Sequence, residues 1–259
     1  GLTLLWAHEA LDSEPALAAA VAAGDELVAR ALPVGDGAKW AMSADFPRLM
    51  PNFSHGTAGI SYFLARLYEF TGQERFRAAA LAGGRYLQEV ADTDGEVCLV
   101  FHHEPEGEGL FYLGWCHGPA GTGRTFWELY RSAEALLRSG IPERRTAGFW
   151  NNVGRCCGNA GVAEFLLDLH EATGERRYRD MAERMASDLL ARASRDERGL
   201  HWLQAEHRVR PEELAAQTGY MQGAAGIGSL LLRLAALQSG TPPPVRLPDG
   251  AALEAPSGQ

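Results

Sequence analysis

Apolar residues recur along most of the chain at the three-to-four-residue spacing of amphipathic helices. One such run covers Ile60 to Phe70, and after a Thr-Gly pair a second amphipathic run covers Glu74 to Glu89. The same order returns downstream, where Val162 to Ala172 and another Thr-Gly pair precede Glu175 to Ala193. The sequence therefore predicts an internal repeat of two helices joined by a tight glycine turn.

Each apolar helix of the repeat opens on a Gly-x-x-Gly motif. Four motifs of the form Gly-x-Ala-Gly occur, at positions 56–59, 118–121, 158–161 and 223–226. The glycines placed to cap helix C-termini are Gly72, Gly140, Gly174 and Gly240. Small residues let helix ends approach one another near an axis. The pattern therefore predicts an all-α fold, an α/α toroid with apolar inner helices and Arg-rich outer helices, rather than an open solenoid.

The two ends of the chain depart from the repeat. Leu2 to Leu11 resembles the latter part of an inner helix without its opening motif, and Ala16 to Leu32 resembles the outer partner. We expect one toroid domain over residues 1–240, truncated on its N-terminal side, and a Pro-rich tail over residues 241–259. Two stretches favour short strands, Cys98 to His102 and Leu110 to Leu113.

Composition narrows the classes of function. The formal net charge is −9, from 24 basic and 33 acidic side chains, which argues against nucleic acid as the main partner. Lys39 is the only lysine, so a GxxxxGK phosphate loop is excluded. The sequence has no run of 18 apolar residues, so it predicts no membrane span, and no secretory leader is recognisable. An adjacent cysteine pair would form a strained disulfide, which favours a reducing compartment, and we expect a cytoplasmic protein.

The residues just before the Gly-x-Ala-Gly motifs carry the candidate chemistry. His55 precedes the first motif, Cys116 and His117 precede the second, and Cys156 and Cys157 precede the third. If the units form a ring, these helix N-termini converge at one end of it. Zinc takes thiolate ligands in tetrahedral geometry, and a catalytic site keeps one position open. A helix N-terminus favours the thiolate form. The pattern therefore predicts a metal site of the three cysteines.

Plainer interpretations stand beside this one. Cys98 has the character of a small buried hydrophobe. His117 either lines the site or caps a helix, and Trp115 either packs or lines a pocket. His102 and His103 lie among glutamates, so a solvated loop is the simpler interpretation, with a secondary metal or substrate contact as the alternative.

The motifs SHGTAG, WCHGPAG, CCGNAG and GYMQGAAGIG together resemble those of the lanthionine synthetase C-like family, over residues 2–240. The resemblance implies an α/α toroid of seven helix pairs with zinc at one end. The chain has room for about four and a half such pairs. We therefore expect an incomplete ring with an apolar patch near Leu2 to Leu11.

The resemblance also implies the activity and its residues. Family enzymes add a thiol, from a peptide cysteine or from glutathione, to dehydroalanine or dehydrobutyrine in a dehydrated peptide, and the product is a thioether. The family's first zinc cysteine falls on Cys116. Its Cys-His pair falls on Cys156 and Cys157, so a cysteine replaces the histidine, as in family members with three cysteine ligands. The family's active-site histidine falls on His55. The family also uses an acidic residue from an earlier repeat, and the resemblance implies that its position would lie before residue 1.

Other functions are open from the residues alone. A carbohydrate-active enzyme on an α/α toroid needs paired carboxylates, whereas these loops carry thiols and imidazoles. A catalytically idle zinc module that binds glutathione or a peptide would keep the same ligands. A structural solenoid without metal is the third alternative.

Overall fold

The computed structural model describes residues 1–243 except 44, 46–47, 95–96, 126–128, 146–151 and 208. The described residues are mostly helical with short two-stranded sheets, which confirms the all-α class. They divide into two compact units. The first holds mainly residues 1–112 and 116–132, and the second holds Leu113–Trp115 and the described residues from Ala133 onward. The single domain over residues 1–240 stays a prediction, and residues 244–259 of the proposed tail lie outside the described part.

The helices of the first unit are α1 (Leu2–Leu11), α2 (Glu14–Ala29), α3 (Thr57–Thr71), α4 (Glu74–Val90) and the short α5 (Pro119–Thr122). The helices that follow are α6 (Leu129–Arg138), α7 (Asn159–Thr173), α8 (Arg176–Ala191) and α9 (Ala224–Ser239). Consecutive helices pack as the pairs α1 with α2, α3 with α4 and α7 with α8. The predicted two-helix repeat is therefore confirmed.

The turn between the helices of a pair is the same in both units. α3 ends at Gly72 with φ 63°, and α7 ends at Gly174 with φ 72°, both in the left-handed region that favours glycine. The preceding threonine hydroxyl donates to a backbone carbonyl four residues earlier, at 2.7 Å, in Thr71 and in Thr173 alike. Each Thr-Gly pair thus closes its helix by a side-chain bond and a glycine cap.

Inner and outer helices differ in burial as their composition predicts. Every residue of α7 from Ala160 to Leu169 is buried, whereas α8 buries one face. The aromatic residue near the start of each outer helix, Phe76 in α4 and Tyr178 in α8, is fully buried. An amphipathic outer helix that covers an apolar inner helix accounts for this difference.

Antiparallel hairpins follow α2, α4 and α8, and a fourth hairpin comes directly after the third. The sequence indicated only one of their strands. The hairpins are β1 (Leu32–Val34) with β2 (Gly37–Lys39), β3 (Ala91–Asp94) with β4 (Val97–Val100), β5 (Ser194–Asp196) with β6 (Gly199–His201), and β7 (Leu203–Ala205) with β8 (Leu214–Ala216). The strand expected at Cys98 to His102 overlaps β4, whereas residues 110–113 form none. Trp40 and Trp202 follow equivalent hairpins, and each indole N–H donates to a helix-end carbonyl at 2.7 Å.

The first helix leaves part of its apolar surface in solvent. Trp6 and Leu11 are exposed, whereas Leu5 is buried in a core cluster with residues of α2 and α3. The apolar patch expected near Leu2–Leu11 stays a prediction beyond these two exposed side chains. The incomplete ring itself stays a prediction.

Candidate metal centre

The loops before the first, third and fourth Gly-x-Ala-Gly helices fold back over the start of their helices. In the third loop the Asn159 N–H donates to the Asn152 carbonyl, seven residues earlier, at 3.2 Å. A Cβ at Gly158 would lie 2.4 Å from that same oxygen, and a Cβ at Gly161 would lie 2.0 Å from the Arg155 carbonyl oxygen. The equivalent backbone bonds of the first and fourth loops are Thr57 to Met50 and Ala224 to Gln217, both at 2.9 Å. The motif glycines are therefore required by close backbone approach.

Equivalent positions of neighbouring loops are hydrogen-bonded to one another. In the first unit the Ser54 N–H donates to the Cys116 carbonyl at 3.1 Å. In the second unit the Cys156 N–H donates to the Met221 carbonyl at 2.8 Å. All four residues stand two positions before the first glycine of a motif. The repeat therefore gives Cys116 and Cys156 the same place in their loops.

Close packing also brings the segment before Cys116 against the third loop. Within the second unit, a Cβ at Gly114 would lie 3.3 Å from the Cys157 Cα. A Cβ at Gly161, in the first turn of α7, would lie 3.2 Å from the Trp115 Cβ. Trp115 is half-buried and packs against the start of α7, so its role as a pocket residue stays a prediction.

Three thiols form the group that could hold a metal ion. The Sγ atoms of Cys116, Cys156 and Cys157 all lie within 4.8 Å of one another, and those of the adjacent pair are 3.4 Å apart. Cys116 is buried, and the other two are half-buried. Zn–S bonds of about 2.3 Å put tetrahedral sulfurs roughly 3.8 Å apart. Thiolates suit zinc better than the hard cations, which prefer oxygen. The donor set therefore fits zinc.

Cys98 lies apart from this group. It is 2% exposed and stands in β4, where it pairs with Thr93. This position agrees with its interpretation as a small buried hydrophobe. None of the four cysteines, all of which lie in the described part of the chain, forms a disulfide.

Of the predicted site histidines, His117 lies beside Cys116, and His55 lies beside His117. His117 is buried, and its Nδ1 lies 2.9 Å from the Cys116 Sγ. A thiolate can only accept, so Nδ1 carries the proton and donates once Cys116 is ionised. His55 is exposed, and its ring centroid lies 5.3 Å from that of His117. The structure thus brings His55, His117 and Cys116 together, while the catalytic role of His55 stays a prediction.

His102 corrects the expectation of a solvated loop. It is 1% exposed and stacks on His117, with ring centroids 4.1 Å apart and planes inclined by 11°. His103 beside it is half-buried. The alternation of buried residues along β4, at Cys98 and Val100, does not extend to His102, because Phe101 is buried as well, so the sequence carried no clear signal for this burial.

Glu104 anchors the loop that carries these histidines. Its carboxylate accepts from the Lys39 ammonium at 2.6 Å, and its other oxygen accepts from the Tyr86 hydroxyl. Burial, followed by the bond to Glu104, raises the pKa of Tyr86 above its ordinary value. The one lysine of the chain is therefore part of a structural ion pair.

A buried ion-pair network lies beneath the third loop. The Arg155 guanidinium lies 3.7 Å from the Glu164 carboxylate and 5.0 Å above the Tyr220 ring. Glu164 also accepts from Arg233 at 2.6 Å, and Arg233 lies 2.8 Å from Asp168. Although burial opposes its charge, these carboxylates raise the pKa of Arg233. The network links α7, α9 and the residue before Cys156, and sequence reasoning missed it.

Comparisons with known proteins identify the family of the chain. Among the described residues, no helix is both long and apolar enough to cross a bilayer. No curated protein matches the chain. The family model described as lanthionine synthetase C-like protein matches residues 1–241. The helix pairs agree with the α/α toroid of that family, and the three-thiol group agrees with its zinc motif. The chain belongs to the lanthionine synthetase C-like family.

Proposed function

We propose that this protein catalyses the zinc-dependent addition of a thiol to dehydroalanine or dehydrobutyrine in a peptide, which forms a thioether. The observation that carries the proposal is the group of three thiols, Cys116, Cys156 and Cys157, within 4.8 Å of one another. The family includes cyclases, which supports an enzyme of this kind. The substrates, a dehydrated peptide and a thiol, are part of the proposal.

The three cysteines would hold the ion from two loops at helix N-termini and leave its fourth position open. A zinc ion held by these residues would lower the pKa of an incoming thiol and would keep its sulfur nucleophilic at neutral pH. His117 donates to Cys116 and thereby orients that ligand. Three clustered thiols oxidise readily outside a reducing compartment, so we place the protein in the cytoplasm.

His55 is the residue that we assign to proton transfer. In the addition, the thiolate sulfur bonds to the β-carbon, and the electron pair of the C=C bond shifts toward the α-carbon and its carbonyl. The His55 imidazolium then donates a proton to the α-carbon. The thiol loses one proton and the α-carbon gains one, so the sum is a simple addition. Because His55 is exposed, solvent can return its proton.

The assay is mass spectrometry of a dehydroalanine peptide incubated with glutathione, zinc and the protein. A parallel peptide that carries its own cysteine distinguishes ring formation from glutathione addition. We expect an adduct above a zinc-only control. In His55→Asn the rate should fall by about 10²-fold or more, with zinc content unchanged. His201→Asn is the matched control, because His201 lies in β6, near Asp196.

The same assay separates the competing functions. A wild-type protein that binds zinc and glutathione but forms no adduct above the zinc-only control would be an idle binding module, and this result would refute the proposal. A glycosidase-type activity is disfavoured because the loops at this site carry thiols and imidazoles.

A further inference from the structure

His102 is a buried neighbour of His117, the histidine that contacts Cys116. Its ring stacks on His117 at 4.1 Å between centroids, and the edge of Tyr112 meets it at 4.6 Å. Tyr112 also meets His117 edge-on, at 5.7 Å. His102, Tyr112 and His117 are all buried, so rotation of the His117 ring out of its plane would drive it into these neighbours.

The position of His102 is fixed on both sides of its backbone. Its N–H donates to the Leu110 carbonyl at 2.9 Å, and its carbonyl accepts from the Asn52 amide at 2.9 Å. Its Nδ1 lies 2.8 Å from the His103 Nδ1, so one of the two nitrogens donates and the other accepts. The His102 ring is therefore held by its neighbours as well as by the stack.

Gly107 makes the position of His103 possible. A Cβ at Gly107 would lie 2.1 Å from the His103 Nδ1, so any larger residue would displace that imidazole. A Cβ at Gly109, two residues further on, would meet nothing within 4 Å. The chain thus offers a disruptive glycine substitution and a matched neutral one in the same loop.

We propose that His102 is a positioning residue for the metal centre. By stacking on His117 it holds the imidazole in the plane from which Nδ1 donates to the Cys116 Sγ. This inference rests on the proposed function, because it assigns His102 a part in metal binding by Cys116. Residues that orient a metal ligand through a hydrogen bond typically contribute about 10- to 100-fold in metal affinity.

The test is the Zn²⁺ affinity of the full chain, measured by competition with a chromophoric chelator. His102→Leu removes the flat ring and should weaken the affinity by about 10- to 100-fold. His102→Phe keeps a stacking ring and should stay within about threefold of wild type. Thermal unfolding of the metal-free variants is the second readout. If His102 had only a structural role, the unfolding midpoint of the variants would fall, and the ring in His102→Phe would not restore the Zn²⁺ affinity.

Two glycine variants keep the test decisive if His102→Leu fails to fold. Gly107→Ala displaces His103 and should weaken Zn²⁺ binding about three- to tenfold, whereas Gly109→Ala should leave it unchanged. Wild-type Zn²⁺ affinity in both His102→Leu and Gly107→Ala would overturn this inference and would leave the proposed function untouched. Equal losses in His102→Leu and His102→Phe would also overturn it. A wild-type protein without Zn²⁺ affinity would overturn the proposed function together with it.

Discussion

The α-carbon of Gly161 faces the carbonyl oxygen of Arg155 so closely that a Cβ would lie 2.0 Å from it. Arg155 immediately precedes Cys156, and Gly161 lies in the first turn of α7. This contact sets the distance between the cysteine loop and the helix beneath it. The glycine is thus a structural requirement of the metal centre.

Gly161→Ala should displace the loop of Cys156 and Cys157. We expect a loss of about 1–3 kcal/mol in the free energy of unfolding, from overpacking, and a marked fall in zinc content. Gly228→Ala is the control, because a Cβ at Gly228 in α9 meets nothing within 4 Å. Alanine there should stabilise the helix by up to about 1 kcal/mol. Wild-type zinc content in Gly161→Ala would contradict the requirement.

Arg233→Met should destabilise the second unit strongly. It would leave the Glu164 and Asp168 carboxylates buried with less compensating charge, and breaking a buried pair in this way costs about 3–5 kcal/mol. Urea unfolding measures the loss. Arg198→Met removes the exposed pair with Asp196 and should change stability by less than about 0.5 kcal/mol. Similar effects of both substitutions would refute the importance of the buried network.

Tyr86→Phe should reduce the alkaline sensitivity of folding. Burial and the bond to Glu104 raise the pKa of Tyr86 in the folded state above the value of about 10 in the unfolded chain. Its contribution to stability is therefore present below pH 10 and is lost as the pH rises further, because the unfolded state releases its proton first. Between pH 9 and pH 11 the wild type should lose about 1 kcal/mol more than the variant in urea unfolding. Parallel losses would contradict this.

The repeat and the cysteine positions could be predicted because they follow local rules. Helical periodicity, the Gly-x-Ala-Gly openings and the capping glycines each depend on residues near in sequence. Cys116 and Cys156 stand at equivalent positions before two of these motifs, so the repeat alone marked them as equivalent residues. The fold class and the candidate metal ligands could therefore be predicted from local sequence patterns.

The hairpins and the buried polar groups depend on tertiary packing. Strands of three or four residues are too short to show clear alternation against their flanking turns. His102 looked solvated among glutamates, yet the ring of His117 covers it. No local pattern marked Arg155, but Glu164, nine positions along the chain, pairs with it inside the second unit. Such partners are set by the fold and not by local pattern.

Zinc stoichiometry of purified variants tests the central claim most directly, and inductively coupled plasma mass spectrometry measures it. The wild type and Cys98→Ala should each carry about one zinc ion per chain, because Cys98 stands in β4 outside the three-thiol group. Cys116→Ala and Cys156→Ala should each carry less than about a tenth of that amount, since two thiolates hold the ion far more weakly than three. Unchanged zinc content in either variant would contradict the assignment of this metal centre.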